Sequence, residues 1–187
     1  MGLVRVESLE KEFNVEVEWK GMELHPELPE QGLPSEEILR GDYFRRAKAN
    51  LRRLAAEDGL AMINPTLIVN SHLALETAEF ARERGAFAAL HRRLFEAYFQ
   101  EDLNIGDRET LVKLAGEAGL DGDEVQNVLA ERRYQRQLSE VLGEARRLGI
   151  TGAPTFLIGN QRVVGAQPYE VLRQAAIMAG AKPLQPQ

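Results

Sequence analysis

The chain has 187 residues, of which 44% are hydrophobic, with a formal net charge of -6 and a pI near 5.3. The acidic balance argues against a nucleic-acid partner, which would need a basic face, and no apolar run approaches the roughly 20 residues of a membrane helix. The sequence contains no cysteine, which excludes disulfides, thiolate metal sites and thiol catalysis by these residues alone.

Leu3, Val6, Leu9 and Phe13 recur at helical spacing among charged residues, predicting a first helix that runs to about Phe13 and lacks a convincing N-cap. That charged opening has no apolar core of the kind a secretory signal needs. Val15, Glu16, Val17, Glu18 and Trp19 alternate strictly, predicting a strand with one buried face and Trp19 in the core. Residues 23–34 hold three prolines, Pro26, Pro29 and Pro34, and so predict an extended loop in which His25 is solvated.

From Ser35 to about Leu148 the pattern is almost entirely helical. Ser35, followed by Glu36 and Glu37, has the form of an N-cap with an acidic first turn. Helices are expected over 50–58, 71–84, 86–99, 107–119 and 121–148, punctuated by Gly59, Gly85, Gly106, Gly119 and Gly149. Phe87, Leu90, Leu94, Phe95 and Tyr98 form one stripe and are assigned to the core, while His72 and His91 are placed toward solvent or neighbouring helices. The three histidines are too scattered for a metal site, and no partner constellation marks any of them as a base.

Strands return at 155–158 and 162–164 around a Gly159-Asn160 turn. A last helix is expected over 168–178 with Pro168 in its first turn, followed by a frayed tail at 182–187. The order is therefore helix, strand, helical stretch, strand, strand, helix.

Three segments carry a family resemblance. Residues 17–27, opening Val17-Glu18-Trp19, are similar to a "VEWRPFELNP" segment. Asn70-Ser71-His72-Leu73-Ala74-Leu75 resembles "NSRLAL". Residues 149–169, with Thr151-Gly152-Ala153-Pro154-Thr155-Phe156 and then Gly165-Ala166-Gln167-Pro168-Tyr169, resemble "GVTGVPTFVI" followed by "SGAQPYE". On these residues the chain is identified as a member of the DsbA-like thioredoxin-fold superfamily. The nearest group is the FrnE-like branch, beside the 2-hydroxychromene-2-carboxylate isomerases and kappa-class glutathione transferases.

The resemblance implies an α/β thioredoxin fold with a large all-helical insertion and its first strand missing. Residues 1–34 and 149–187 would form the thioredoxin-like domain, and residues 35–148 the insertion domain. Relatives begin with a strand leading into a Cys-x-x-Cys helix; here Met1 aligns just past that motif, and a truncated or mis-assigned start is the expectation. Without that strand, two internal strands would lack ladder partners, so self-association through exposed edges is expected.

By resemblance, Ala153 and a cis Pro154 would hold a substrate backbone. Asn70, otherwise an N-cap residue, would contribute to binding. No catalytic residue, metal or resident cofactor is assigned. The implied function is thiol–disulfide oxidation or reduction on a disulfide- or thiol-containing protein in the cytoplasm, with this chain inactive alone. The alternatives are a glutathione-dependent isomerase or transferase, and a non-catalytic thioredoxin-fold binding protein.

Overall fold

The computed structural model describes residues 1–184. It opens with helix α1 (Gly2–Glu12), which buries Arg5, Val6 and Leu9. Strand β1 (Phe13–Asn14) follows and pairs antiparallel with β6 (Lys182–Pro183). The Leu184 amide then donates to Glu12 O at 2.8 Å. The tail expected to fray is thus tied down through residue 184, and residues 185–187 lie outside the described residues.

The strand expected over 15–19 is absent, yet its side-chain pattern is present. Val15, Val17 and Trp19 are half-buried, while Glu16, Glu18 and Lys20 are exposed. The alternation thus marks which side chains turn inward. A strand also needs a ladder partner on its backbone, which alternation alone cannot supply.

The proline-rich loop ends in β2 (Leu33–Pro34), which pairs antiparallel with β3 (Leu67–Ile68). Ser35 is the first residue of the short helix α2 (Ser35–Ile38) and makes no capping bond. Helix α3 (Gly41–Glu57) begins well before residue 50, because Arg40 supplies an extended entry and no Gly or Pro interrupts the stretch behind it.

Helices α4 (His72–Glu83), α5 (Phe87–Phe99), α6 (Arg108–Glu117), α7 (Gly122–Glu131) and α8 (Gln135–Arg147) follow. The Asp107 and Asp121 carboxylates cap α6 and α7, accepting the Thr110 and Glu124 amides at 2.8 and 3.0 Å. The single helix expected over 121–148 is broken at Arg132, which sits in the left-handed region at φ 52. The cause is tertiary: the buried Glu76 carboxylate accepts Arg132 Nε at 2.8 Å and the Tyr134 amide at 3.2 Å. Those donors become available only where the helix turns aside.

One continuous core joins α4 to α7, with Phe80, Leu90, Leu111, Leu114, Val128 and Leu129 fully buried. Phe95, assigned to that core from its stripe, is instead 43% exposed. The core takes Leu90, Leu94 and Ala97, and Phe95 lies on the neighbouring face of α5.

The chain closes with β4 (Thr155–Ile158), β5 (Gln161–Val164) and α9 (Tyr169–Met178). Gly159, at φ 59, makes the hairpin turn, and a side chain there would come within 3.0 Å of Ala179 Cβ. Around these elements sit two small clusters: Leu9 and Phe13 with Ala176, and Val163 with Leu172 and Ala175. Among the described residues, no helix is long and apolar enough to cross a membrane.

Candidate functional site

The Ala153–Pro154 peptide is cis. Pro154 lies directly against the first turn of α1: a methyl group on Gly2 would stand 3.4 Å from Pro154 Cβ and 3.6 Å from Phe156 Cζ. The helix start and the turn thus lie in van der Waals reach of one another. The turn itself is held from both sides. The Gly165 amide donates to Pro154 O at 2.8 Å, and Thr155 Oγ1 donates to Gly152 O at 2.7 Å.

The register of the hairpin fixes what lies beyond Pro154. Ile158 pairs with Gln161 across the two-residue turn and Phe156 pairs with Val163, so these residues direct their backbone groups at β5. The Gly165-to-Pro154 bond continues the same parity. Thr155 and Leu157 consequently turn their N–H and C=O groups to the opposite edge, where β4 has no ladder partner among the described residues. Ala153 is exposed at the head of this edge, and the Leu157 side chain is 55% exposed.

Behind the turn is a support that the sequence did not reveal. Arg5, 3% exposed, pairs with Asp58 just past the end of α3 and donates through Nη1 to Gln167 O. Asp58 Oδ2 lies 3.0 Å from Arg5 Nε as an ion-pair contact, while the oriented hydrogen bonds go to Oδ1 at 3.3 Å. Next to it, the Tyr169 hydroxyl donates to Glu12 at 2.6 Å and Arg173 Nε donates to the same carboxylate at 2.6 Å. Burial, reinforced by the Glu12 charge, pushes the Tyr169 phenol up to about 12. The residues from Gly165 to Tyr169 therefore bolt α1 to α9 behind Pro154. A buried arginine at a helical core position was the available signal, obscured because Arg5 sits among other charged residues.

Asn70 is placed elsewhere. Its Nδ2 donates to Leu28 O at 2.8 Å and its Oδ1 accepts the His72 amide at 2.9 Å. Both ends of the amide are committed to the protein, tying the proline-rich loop to the start of α4. The N-cap function is thus carried by Asn70, and Ser71 makes no side-chain cap bond.

The histidines occupy three different settings. His25 is exposed, with Nδ1 3.0 Å from Glu27. His72 is enclosed by carboxylates. His91 lies within an aromatic group, with ring centroids 4.7 Å from Trp19 and 4.9 Å from both Phe87 and Phe95. Burial, and secondarily the Arg82 charge, lowers the His91 pKa to about 4. Arg82 also lies over the Phe87 ring at 4.0 Å and donates to Trp19 O, which fastens the 15–20 segment to the helical layer.

A helix start packed on a cis-proline turn, with a β-hairpin and a closing helix behind it, defines a thioredoxin-type fold. Comparison with known proteins gives the family: the model for the DSBA-like thioredoxin domain matches residues 1–176, and the chain belongs to this family. The solved structure of a probable DsbA oxidoreductase from Streptomyces coelicolor is similar over 100% of this chain and 87% of its own, with 32% identity and a TM-score of 0.87. The uncharacterized protein YwbO of Bacillus subtilis is 33% identical over 180 residues, covering 94% of this chain and 88% of its own length. A Na(+)/H(+) antiporter, NhaA 3 of Salinispora tropica, is 32% identical over 111 residues, which is 59% of this chain and 16% of the antiporter.

Proposed function

We propose that the chain serves thiol–disulfide exchange by holding an extended segment of a disulfide- or thiol-bearing protein along Ala153, Pro154 and the outward backbone of Thr155 and Leu157. The observation that carries this reading is the open edge of β4 beside a turn on which α1 begins, in a chain of the DsbA-like family. An unpaired edge offers donors and acceptors at strand spacing, and exposed Leu157 adds an apolar contact. Asn70 is left out of this surface because its amide is already satisfied, and it acts by positioning the loop.

Residues 1–187 contain no cysteine, so under this reading every thiolate in the exchange is a partner's. In the exchange, a partner thiolate attacks a disulfide sulfur, one S–S bond forms, another breaks, and the displaced sulfur leaves as a thiolate. Alone, the chain has no dithiol activity under this reading. The resemblance at residues 17–27 and 149–169 supports a FrnE-like, cytoplasmic member of the family.

The test is binding of a reduced, carboxymethylated unfolded protein, which offers extended backbone but no thiols, to the wild type and to Ala153→Glu. Ala153 is exposed, so the variant keeps the native circular dichroism spectrum. Binding is expected to weaken by about tenfold, the effect of losing one well-placed interface contact. Wild-type binding that Ala153→Glu leaves unchanged, or no binding at all, would overturn the reading. Glutathione competing at the same surface would move it to the isomerase and transferase branch.

A further inference from the structure

His72 opens α4 with a carboxylate at each ring nitrogen. Nδ1 is 3.3 Å from Glu23 Oε2 in the proline-rich loop. Nε2 is 3.0 Å from Glu76 Oε1, in ion-pair reach but off the line of a straight N–H···O bond. The Glu76 side chain is fully buried, that of Glu23 is 13% exposed, and that of His72 is 17% exposed. A neutral imidazole carries a single N–H, so whichever tautomer forms, one nitrogen lone pair faces carboxylate oxygen. Only the imidazolium carries a proton on both nitrogens, and only its positive charge offsets both carboxylates.

Charge counting points the same way. The groups facing His72 are Glu23 from the loop and Glu76 from its own helix. From the α7–α8 junction, Arg132 bonds Glu76 and also stands 4.0 Å from Glu30. Helix α8 contributes Leu138, Ser139 and Leu142, which line a cavity of about 30 Å³ together with Gly21, Leu75, Glu23 and His72. With a neutral His72, two enclosed carboxylates share one arginine. With the imidazolium the cluster balances, as enclosed charge requires.

The segment that Glu23 belongs to is anchored at both ends. Lys20 Nζ pairs with Glu144 at 2.8 Å on one side, and Asn70 holds Leu28 O on the other. Glu23 fastens its middle. From this geometry we infer that His72 and Glu23 form an acid-closed clasp: protonated His72 ties the loop to α4, and loss of that proton loosens the loop between its two anchors.

The test is a double-mutant cycle of Glu23→Gln and His72→Gln in urea unfolding at pH 5.5 and pH 8.5. The coupling is expected to be about tenfold in the unfolding equilibrium constant at the lower pH, as for a charge-assisted hydrogen bond, and to fall within about twofold at the higher. Equal coupling at both pH values, or none at pH 5.5, overturns the clasp. Should His72→Gln not fold, the advantage of wild type over Glu23→Gln, present at pH 5.5 and lost at pH 8.5, reads the same contact. His25 lies in the same loop, 3.0 Å from Glu27, so His25→Asn must leave the pH dependence intact; its disappearance in that variant also overturns the proposal.

Discussion

The helical layer from α4 to α7 and the group formed by α1, α9 and the β4–β5 hairpin solve the burial problem differently. In the first, six fully buried leucines and valines join Phe80 in one continuous core, and aspartate caps satisfy the starts of α6 and α7. In the second, small apolar clusters are supplemented by polar bolts, Arg5 to Asp58 and Glu12 to Tyr169 and Arg173, while one edge of β4 has no ladder partner among the described residues. Large apolar contact gives a layer that is complete in itself. Polar bolts fix the direction of a few elements and leave backbone available for a partner. The candidate surface lies on the second kind of construction.

The strongest way to probe this contrast is to empty the core. Phe80→Ala should destabilise by about 4 kcal/mol in urea denaturation, from lost transfer energy and a residual cavity. A loss under 1 kcal/mol would mean the helical layer is not the continuous core described. Arg5→Ala comes next. It leaves Asp58 without its cation, at a cost of about 3 kcal/mol. Asp58→Ala added to it should recover part of that loss, and strict additivity would show that the two do not work as a pair.

The contact between the helical layer and the 15–20 segment carries its own pH signature. Burial holds His91 neutral in the folded protein, with a pKa of about 4 against the ordinary 6.5. The unfolded chain therefore takes up this proton first as the pH drops. The associated stability is fully present above pH 6.5 and is lost as pH falls through the window to about 4. Allowing for the partly exposed ring, the loss is about 1–2 kcal/mol. His91→Phe should remove it, and a variant with an unchanged acid limb would contradict the assignment. Smallest is the cap: Asp107→Ala should cost about 1 kcal/mol, and no change would show that the Thr110 amide finds another acceptor.

Much of this architecture was legible in the residues. The glycines after α4 and α6 and the Gly159-Asn160 hairpin are local signals with local causes, and they fell where they were expected. The site was legible in part: the Ala153-Pro154 turn came from resemblance, and its cis geometry is present. What escaped depends on distant partners. The break at Arg132 is made by Glu76, the order at the tail is made by Asn14 and Glu12, and the missing strand at 15–19 follows from the want of a ladder partner. Phe95 has the stripe position of a core residue, but its surroundings are set by where α5 meets its neighbours. The same is true of Arg5 and His72, whose composition signals solvent and whose packing encloses them.

Native-state amide hydrogen exchange, recorded with and without a carboxymethylated unfolded protein, tests the contrast and its consequence together. Amides of α4 to α7 should exchange only through the highest-energy openings, and those of the β4–β5 hairpin through lower ones. On adding the polypeptide, the Thr155 and Leu157 amides should gain protection while the helical layer is unchanged. Uniform protection across both regions, or a polypeptide that protects other amides and leaves Thr155 and Leu157 as they were, would contradict the account.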